Sequence, residues 1–234
     1  MAKRIYITEE QFRTIVKEMA YPSNFNMEEL VSLPSYEARV KYCQQRLQKI
    51  GAGSSRIVFA VDDEKVLKVA KNKKGIAQNL EEGEPWKQNY YCFANVYDQS
   101  DDGIFLEMQA ARRAKPSDFK RITGYDFNTM IAWIYYTASL YSRDGRWRWE
   151  MYYRYNRDEL EEFFNSDEWS DYIGDYNIFG GIHSYLCDAQ LEAVGDFTRI
   201  SSWGVVTENG EENLALIDFG LSDEVFNDYY RRRA

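Results

Sequence analysis

The chain has 234 residues, a formal net charge of −9 and 44 % hydrophobic residues. This length suits one sizeable core or two small lobes that share a cleft. The acidic balance argues against a general nucleic-acid-binding protein, because such a protein presents a basic surface to phosphates. Aromatic residues reach 16 %, which favours either a core built from large rings or an aromatic surface that meets a protein partner.

The cysteine and histidine content indicates a reduced protein without a metal cluster. Cys43, Cys92 and Cys187 are widely spaced and odd in number, and His183 is a single histidine. No apolar run approaches membrane-spanning length, and the N-terminus lacks a signal-peptide pattern. We therefore expect a cytoplasmic protein with no membrane partner.

The first 46 residues predict a helical extension. Residues 4–19 have an amphipathic pattern in which Thr8 and Gln11 form a capping box. Residues 21–34 contain two prolines and two asparagines and predict a loop. A second helix is expected over residues 35–46.

Residues 47–107 predict a small β-rich lobe. The periodicity becomes strand-like at Leu47, and a glycine-rich stretch joins the first two strands as a hairpin. A helix is expected from about Gly75 to Lys87, and Pro85 is expected to end it early. Five strands are predicted, at residues 47–51, 56–61, 65–70, 91–97 and 103–107.

Residues 108–234 predict a mainly helical part with one hairpin. Asn209-Gly210 is the strongest hairpin signal in the chain and joins predicted strands at 203–207 and 214–217. The segment 143–155 is both aromatic and basic, and its pattern leaves open whether it is core, lid or interface. Helices are expected at residues 116–123, 127–142, 158–164, 168–172, 182–194 and 221–232.

Three motifs carry the candidate chemistry. The first is the hairpin Gly51-Ala52-Gly53-Ser54-Ser55, whose glycines allow backbone N–H groups to approach an anionic oxygen. The second is Lys68, which lies within an apolar strand and needs a partner there, with Glu82 the first choice and Glu81 the second. The third is Asp218-Phe219-Gly220 at the end of an apolar run.

In this order, the motifs resemble the nucleotide-binding parts of the protein-kinase family, in particular of small phage and bacterial kinase-like proteins. The resemblance covers roughly residues 47–222. It implies an α+β, two-lobed protein-kinase-like fold, with a small antiparallel β lobe at 47–107 and a reduced, mainly helical C-lobe at 108–234. Glu107 and Met108 would then lie at the hinge beside the nucleotide. The implied location is the cytoplasm of a bacterium or of a phage-infected host cell.

The resemblance also implies ATP and Mg²⁺ as cofactors and assigns roles to residues. The hairpin residues Gly51, Gly53, Ser54 and Ser55 would cover the phosphates. Lys68, held by Glu82, would contact the phosphates, which gives it a catalytic role. Asp218 would hold Mg²⁺ through its carboxylate oxygens; the alternative is that Asp218 caps the helix that starts near Ser222.

Asp196, in Gly195-Asp196-Phe197-Thr198-Arg199, matches the catalytic carboxylate that receives the substrate hydroxyl. The asparagine that the family places five or six residues later as a second metal ligand is replaced here by Ser201 or Ser202.

The sequence departs from the family pattern at several positions. Asp196 follows Val194-Gly195 instead of His-Arg, and Arg56 replaces the third glycine of the hairpin, where it could itself meet a phosphate. Fourteen residues follow Gly220, too few for an activation segment. Two functions follow: an ATP-dependent phosphotransferase, or a catalytically inactive pseudokinase that acts as a binding or structural protein. A third hypothesis is that the chain is an unrelated α+β domain in which the three motifs occur by chance.

Overall fold

The computed structural model describes residues 21–141, 157–174, 177–189 and 194–230. The predicted helix at 4–19 and the aromatic segment 143–155 lie outside these residues. None of the helices within them is long and apolar enough to cross a membrane.

The described residues form a mixed α+β structure. Its helices are α1 (Met27–Ser32), α2 (Tyr36–Gln44), α3 (Lys73–Glu82), α4 (Pro116–Thr123), α5 (Phe127–Tyr141), α6 (Arg157–Phe164), α7 (Asp167–Gly174), α8 (Ile178–Ala189) and α9 (Asp223–Tyr229). Its strands are β1 (Gln48–Ala52), β2 (Arg56–Ala60), β3 (Lys65–Ala70), β4 (Val96–Gln99), β5 (Phe105–Gln109), β6 (Arg112–Arg113), β7 (Trp203–Glu208) and β8 (Glu211–Leu216).

Five strands form an antiparallel sheet in the order β1-β2-β3-β5-β4, and α3 packs on β3. The α+β class and the five-stranded sheet predicted from the sequence are therefore confirmed. The side chains alternate between the two faces of the sheet because the strand repeat is two residues. One face of β2 and β3 packs against the N-terminal helices in a core that includes Ile57, Phe59, Leu67, Val69, Leu30 and Tyr42.

A second sheet has the order β6-β7-β8. The β7–β8 hairpin turns at Asn209 and Gly210, whose φ angles of 53° and 84° are those of a two-residue turn with both residues in the left-handed region. The Asn-Gly prediction is confirmed. The two-residue strand β6 was not predicted, since two exposed arginines carry no strand pattern.

The large core lies under the helices that follow β5 and is rich in aromatic rings. Trp133, Trp169 and Trp203 are almost fully buried there with Phe119 and Phe179. Within the described part of the chain, most of the large rings therefore build the core. Tyr91 and Tyr97 are among the exceptions that reach solvent.

Several predicted boundaries are wrong for local reasons. Residues 21–34 are not only a loop, because the Asn26 side chain accepts the N–H of Glu29 and starts α1. The helix predicted over about 75–87 starts earlier, at Lys73, and ends at Glu82 before a 3₁₀ turn at Pro85–Asn89, in agreement with the early end expected from Pro85. The strand predicted at 91–97 is shifted along the chain and runs over Val96–Gln99. The last helix starts at Asp223 rather than at residue 221, because Ser222 caps it.

Candidate functional site

A cavity of about 610 Å³ opens between the β1–β2 hairpin, the inner face of the five-stranded sheet and the end of β8. Its wall has an apolar part and a charged part. The apolar part consists of Ile50, Val58, Val66, Met108 and Ile217. The charged part consists of Arg56, Lys68, Arg113, Arg199 and Asp218.

Strand pairing brings Arg56 and Lys68 to the same face of the sheet. Val58 pairs directly with Lys68, and Arg56 lies two residues before Val58, so their side chains point to one side. The opposite side holds the apolar core of the N-terminal helices. The alternation that buries Ile57 and Phe59 on that side thus turns Arg56 and Val58 toward the cavity.

Lys68 and Glu82 form the ion pair that the sequence predicted. The Lys68 side chain is almost completely buried, its Nζ lies 2.6 Å from Glu82 Oε2, and Nζ also donates to the carbonyl oxygen of Ile217 at 2.5 Å. Burial lowers the pKa of Lys68, although the Glu82 carboxylate opposes this change. Glu81, the second choice, instead pairs with Lys87 at 2.5 Å.

Arg56, which the sequence marks as the replacement for a hairpin glycine, has two carboxylate partners that the sequence did not predict. Its Nη2 lies 2.8 Å from Glu82 Oε1 and also contacts Asp218 Oδ1, while Nη1 donates to Asn79 Oδ1 at 3.4 Å. Burial alone would lower the pKa of Arg56, but Glu82 and Asp218 together raise it. The guanidinium is therefore a fixed cation that bridges two carboxylates.

Glu82 joins three segments of the chain. Besides Arg56 and Lys68, its carboxylate accepts the backbone N–H of Phe219 at 3.0 Å. Burial would raise the pKa of Glu82, but Arg56 and Lys68 outweigh it and hold the pKa at about 2. The turn that follows Asp218 is in this way anchored to α3.

Asp218 lies just beyond β8 on the cavity wall, with 49 % of its side chain exposed. Ser201 is exposed on the same wall, whereas Ser202 is buried and does not line the cavity. The described residues contain no group of three or more histidine, cysteine or acidic side chains that could hold a metal ion. With Arg56 already in contact with Asp218, these residues as arranged do not fit a site for Mg²⁺.

Asp196 is not part of the cavity wall. The residue is 6 % exposed, and Oδ2 accepts the backbone N–H of Leu221 at 3.0 Å. Burial, reinforced by Asp218 and Glu82, raises its pKa to about 7. The structure therefore shows Asp196 holding the segment after Asp218, and its catalytic role stays a prediction.

The glycine-rich hairpin lies over one side of the cavity and is fixed to the start of α3. Gly51, Gly53, Ser54 and Ser55 all line the cavity. Ser55 Oγ donates to Gln78 Oε1 at 2.5 Å, and Lys74 Nζ donates to Ser54 Oγ at 2.9 Å. The hairpin is thus held in place by side chains of the same helix that carries Glu82.

Of the two predicted hinge residues, only Met108 faces the cavity. Met108 and Glu107 are neighbours in β5, so their side chains point to opposite faces of the sheet. The Glu107 carboxylate accepts from the Tyr21 hydroxyl at 2.5 Å and pairs with Lys65 at 3.3 Å. The sequence could have separated these two residues by the period-two rule.

The C-terminal part of the described chain also reaches the cavity. Tyr230, which follows α9, lines its edge, and its hydroxyl accepts from Gln78 Nε2 at 3.2 Å. Nothing in the sequence marked Tyr230, because the contact depends on where α9 packs against α3.

Comparison of the chain with protein-family models, with curated proteins and with solved structures found no match. The functional interpretation therefore depends on the geometry of the cavity and on the motifs in the sequence.

Proposed function

We propose that this chain is a protein-kinase-like ATP-binding protein whose nucleotide occupies the cavity under the glycine-rich hairpin. The observation that carries the proposal is the buried Lys68–Glu82 ion pair on the cavity floor, 2.6 Å between Nζ and Oε2. A buried, paired lysine beneath a glycine-rich hairpin is suited to meet the phosphates of a nucleotide.

The size and the two-part wall of the cavity support a nucleotide as ligand. A volume of about 610 Å³ falls within the range of small-molecule sites. The side chains of Val58, Val66 and Met108 offer an apolar surface for a base, and the charged part of the wall offers cations for phosphates. We place the base at the apolar part and the phosphates near Lys68.

We further propose the two-lobed division predicted from the sequence, with the cavity between residues 47–107 and residues 108–234. From the same resemblance to phage and bacterial kinase-like proteins, we propose that the protein acts in the cytoplasm of a bacterium or a phage-infected cell. An aromatic surface for a protein partner, if it lies at 143–155, is outside the described residues.

Phosphotransfer and pure binding are the two candidate activities. A phosphotransferase would use Lys68 to position the phosphates and Asp196 to receive the proton of the acceptor hydroxyl. A base must lie within hydrogen-bond reach of the hydroxyl, yet Asp196 is 6 % exposed and bonded to the N–H of Leu221. This observation favours the inactive binding protein, a pseudokinase, over the enzyme.

Thermal unfolding with and without ATP tests the proposed function. Binding to the folded state alone stabilises it by about 2.7 kcal/mol at a hundredfold excess over Kd, so the wild type should show a clear rise in Tm. Lys68→Met should lose this rise. Lys65→Met is the matched control, because Lys65 lies on the same strand but pairs with Glu107 on the other face.

Two further outcomes separate the alternatives. No Tm rise in the wild type with ATP, ADP or adenosine would overturn the nucleotide-binding proposal. Transfer of radiolabelled phosphate from ATP to a protein or small-molecule acceptor, lost in Asp196→Asn, would show the enzyme instead of the pseudokinase.

A further inference from the structure

The described lining of the cavity carries more cations than carboxylates, although the chain is acidic. Among the residues that the structure describes, four cations, Arg56, Lys68, Arg113 and Arg199, line the cavity, against one carboxylate, Asp218. The buried Glu82, which pairs with Arg56 and Lys68 from behind the wall, brings the count to two carboxylates. The formal net charge of the whole chain is −9. A local excess of cations within such a chain favours an anionic ligand, since charges lining a cleft focus the field inside it.

Arg56 lies beside Asp218, the carboxylate that would otherwise bind a divalent cation. It replaces a glycine of the hairpin, and its Nη2 contacts Asp218 Oδ1, the oxygen that would otherwise be open to a divalent cation. The guanidinium cannot easily move away, because Glu82 Oε1 at 2.8 Å and Asn79 Oδ1 at 3.4 Å hold its other side. Its side chain is 8 % exposed, so water does little to screen its charge.

A magnesium ion at Asp218 would have to displace this contact or bind Oδ2 directly beside the guanidinium. Mg²⁺ requires oxygen ligands at about 2.0–2.1 Å in near-octahedral geometry, and the buried guanidinium would repel it at close range. Arginine is itself a good phosphate ligand, because its planar N–H groups match phosphate oxygens. Arg56, together with Lys68, thus places positive charge at the position where a nucleotide site would otherwise use a metal ion.

We propose that the cavity binds the polyphosphate of a nucleoside triphosphate without a divalent cation, with Arg56, held by Asp218 and Glu82, in the place of the metal ion. The proposal rests on the proposed nucleotide function and concerns how the phosphates are neutralised. Asp218 then acts as a positioning residue for Arg56 and does not ligate a metal.

Calorimetric titration of ATP in EDTA and in excess Mg²⁺ tests this proposal on the full chain. The wild type should bind ATP in EDTA with a Kd within about threefold of that in Mg²⁺. If a metal ion contributed a strong contact to the phosphates, its removal by EDTA would raise the Kd by about tenfold, which corresponds to about 1.4 kcal/mol. Asp218→Asn should raise the Kd in both buffers, because Arg56 loses one of its two carboxylate partners. The ratio of the Kd in EDTA to the Kd in Mg²⁺ should not change, because in this proposal Asp218 ligates no metal ion.

Arg56→Gly restores the glycine of the hairpin and should make ATP binding depend on Mg²⁺. It should weaken binding in EDTA by about tenfold or more, the value of a charge-assisted hydrogen bond, and added Mg²⁺ should recover affinity through the freed Asp218. Arg56→Lys, which keeps the charge, should lose less, and urea unfolding of both variants checks that they fold.

The outcomes are distinct from those of the proposed function. Binding by the wild type in Mg²⁺ but not in EDTA, abolished in Asp218→Asn, would overturn the metal-free proposal and leave nucleotide binding intact. Absence of ATP binding in both buffers would overturn the nucleotide function and this proposal with it. Neither result depends on the folding of the Arg56 variants.

Discussion

Lys68 of β3 and Glu82 at the end of α3 are joined by an ion pair in which Nζ lies 2.6 Å from Oε2, and Glu82 is completely buried. Glu82 also binds Arg56 of β2 and the N–H of Phe219. One carboxylate therefore connects two strands of the five-stranded sheet, α3 and the turn after β8. The shape of the cavity depends on this carboxylate.

Glu82→Gln should destabilise the protein more than Lys68→Met. The first change leaves two buried cations without their shared carboxylate, and removing one partner of a buried pair costs about 3–5 kcal/mol. The second leaves Glu82 paired with Arg56 at 2.8 Å. The free energy of unfolding in urea measures both variants, and an equal or larger loss in Lys68→Met would contradict the central place of Glu82.

Gly75→Ala should destabilise the chain although alanine favours helices by about 1 kcal/mol over glycine. Gly75 lies in the first turn of α3, and a Cβ there would lie 2.3 Å from the carbonyl oxygen of Ser55. The helix would have to move away from the hairpin, and overpacking of this kind costs about 1–3 kcal/mol. The same variant should bind ATP more weakly, because the hairpin lines the cavity.

Gly174→Ala is the matched control for this prediction. Gly174 is also a helical glycine, at the end of α7, but a Cβ there meets no atom of the described residues within 4 Å. Its unfolding free energy should stay within about 0.5 kcal/mol of the wild type or rise slightly. If Gly75→Ala and Gly174→Ala change the free energy of unfolding by the same amount, the close contact between α3 and the hairpin does not cause the loss of stability in Gly75→Ala.

Asp196 should make the protein less stable as the pH rises from about 4 to about 7. Its pKa is raised to about 7 in the folded state from an ordinary value of 3.8. In this window the folded protein binds a proton that the unfolded chain has released, so the free energy of unfolding falls with increasing pH. The fall attributable to Asp196 is at most about 4 kcal/mol.

Asp196→Asn isolates this effect, because an amide does not titrate and its oxygen can still accept the N–H of Leu221. The difference in unfolding free energy between wild type and variant, measured in urea at several pH values, should favour the variant increasingly from pH 5 to pH 8. A difference that does not change with pH would show that the pKa of Asp196 is not raised in the folded protein.

The hairpins and the lysine pair could be predicted from the sequence because their signals are local. Asn209-Gly210 specifies a turn by the φ values it allows. Lys68 within an apolar strand requires a carboxylate, and Glu82 lies fourteen residues away on the next helix. The loop prediction for 21–34 is wrong for a local reason too, because the Asn26 side chain caps a short helix there.

What the sequence alone determined was the class of the fold, the five-stranded sheet, the hairpins and the order of the three motifs, since strand alternation and turn chemistry act over a few residues. Only the tertiary structure decided the charge arrangement of the cavity. Arg56 and Asp218 are separated by 162 positions in the chain, and Asp196 accepts the backbone N–H of Leu221, which follows it by 25 positions. Contacts over such distances depend on how whole elements pack, and no local pattern encodes them.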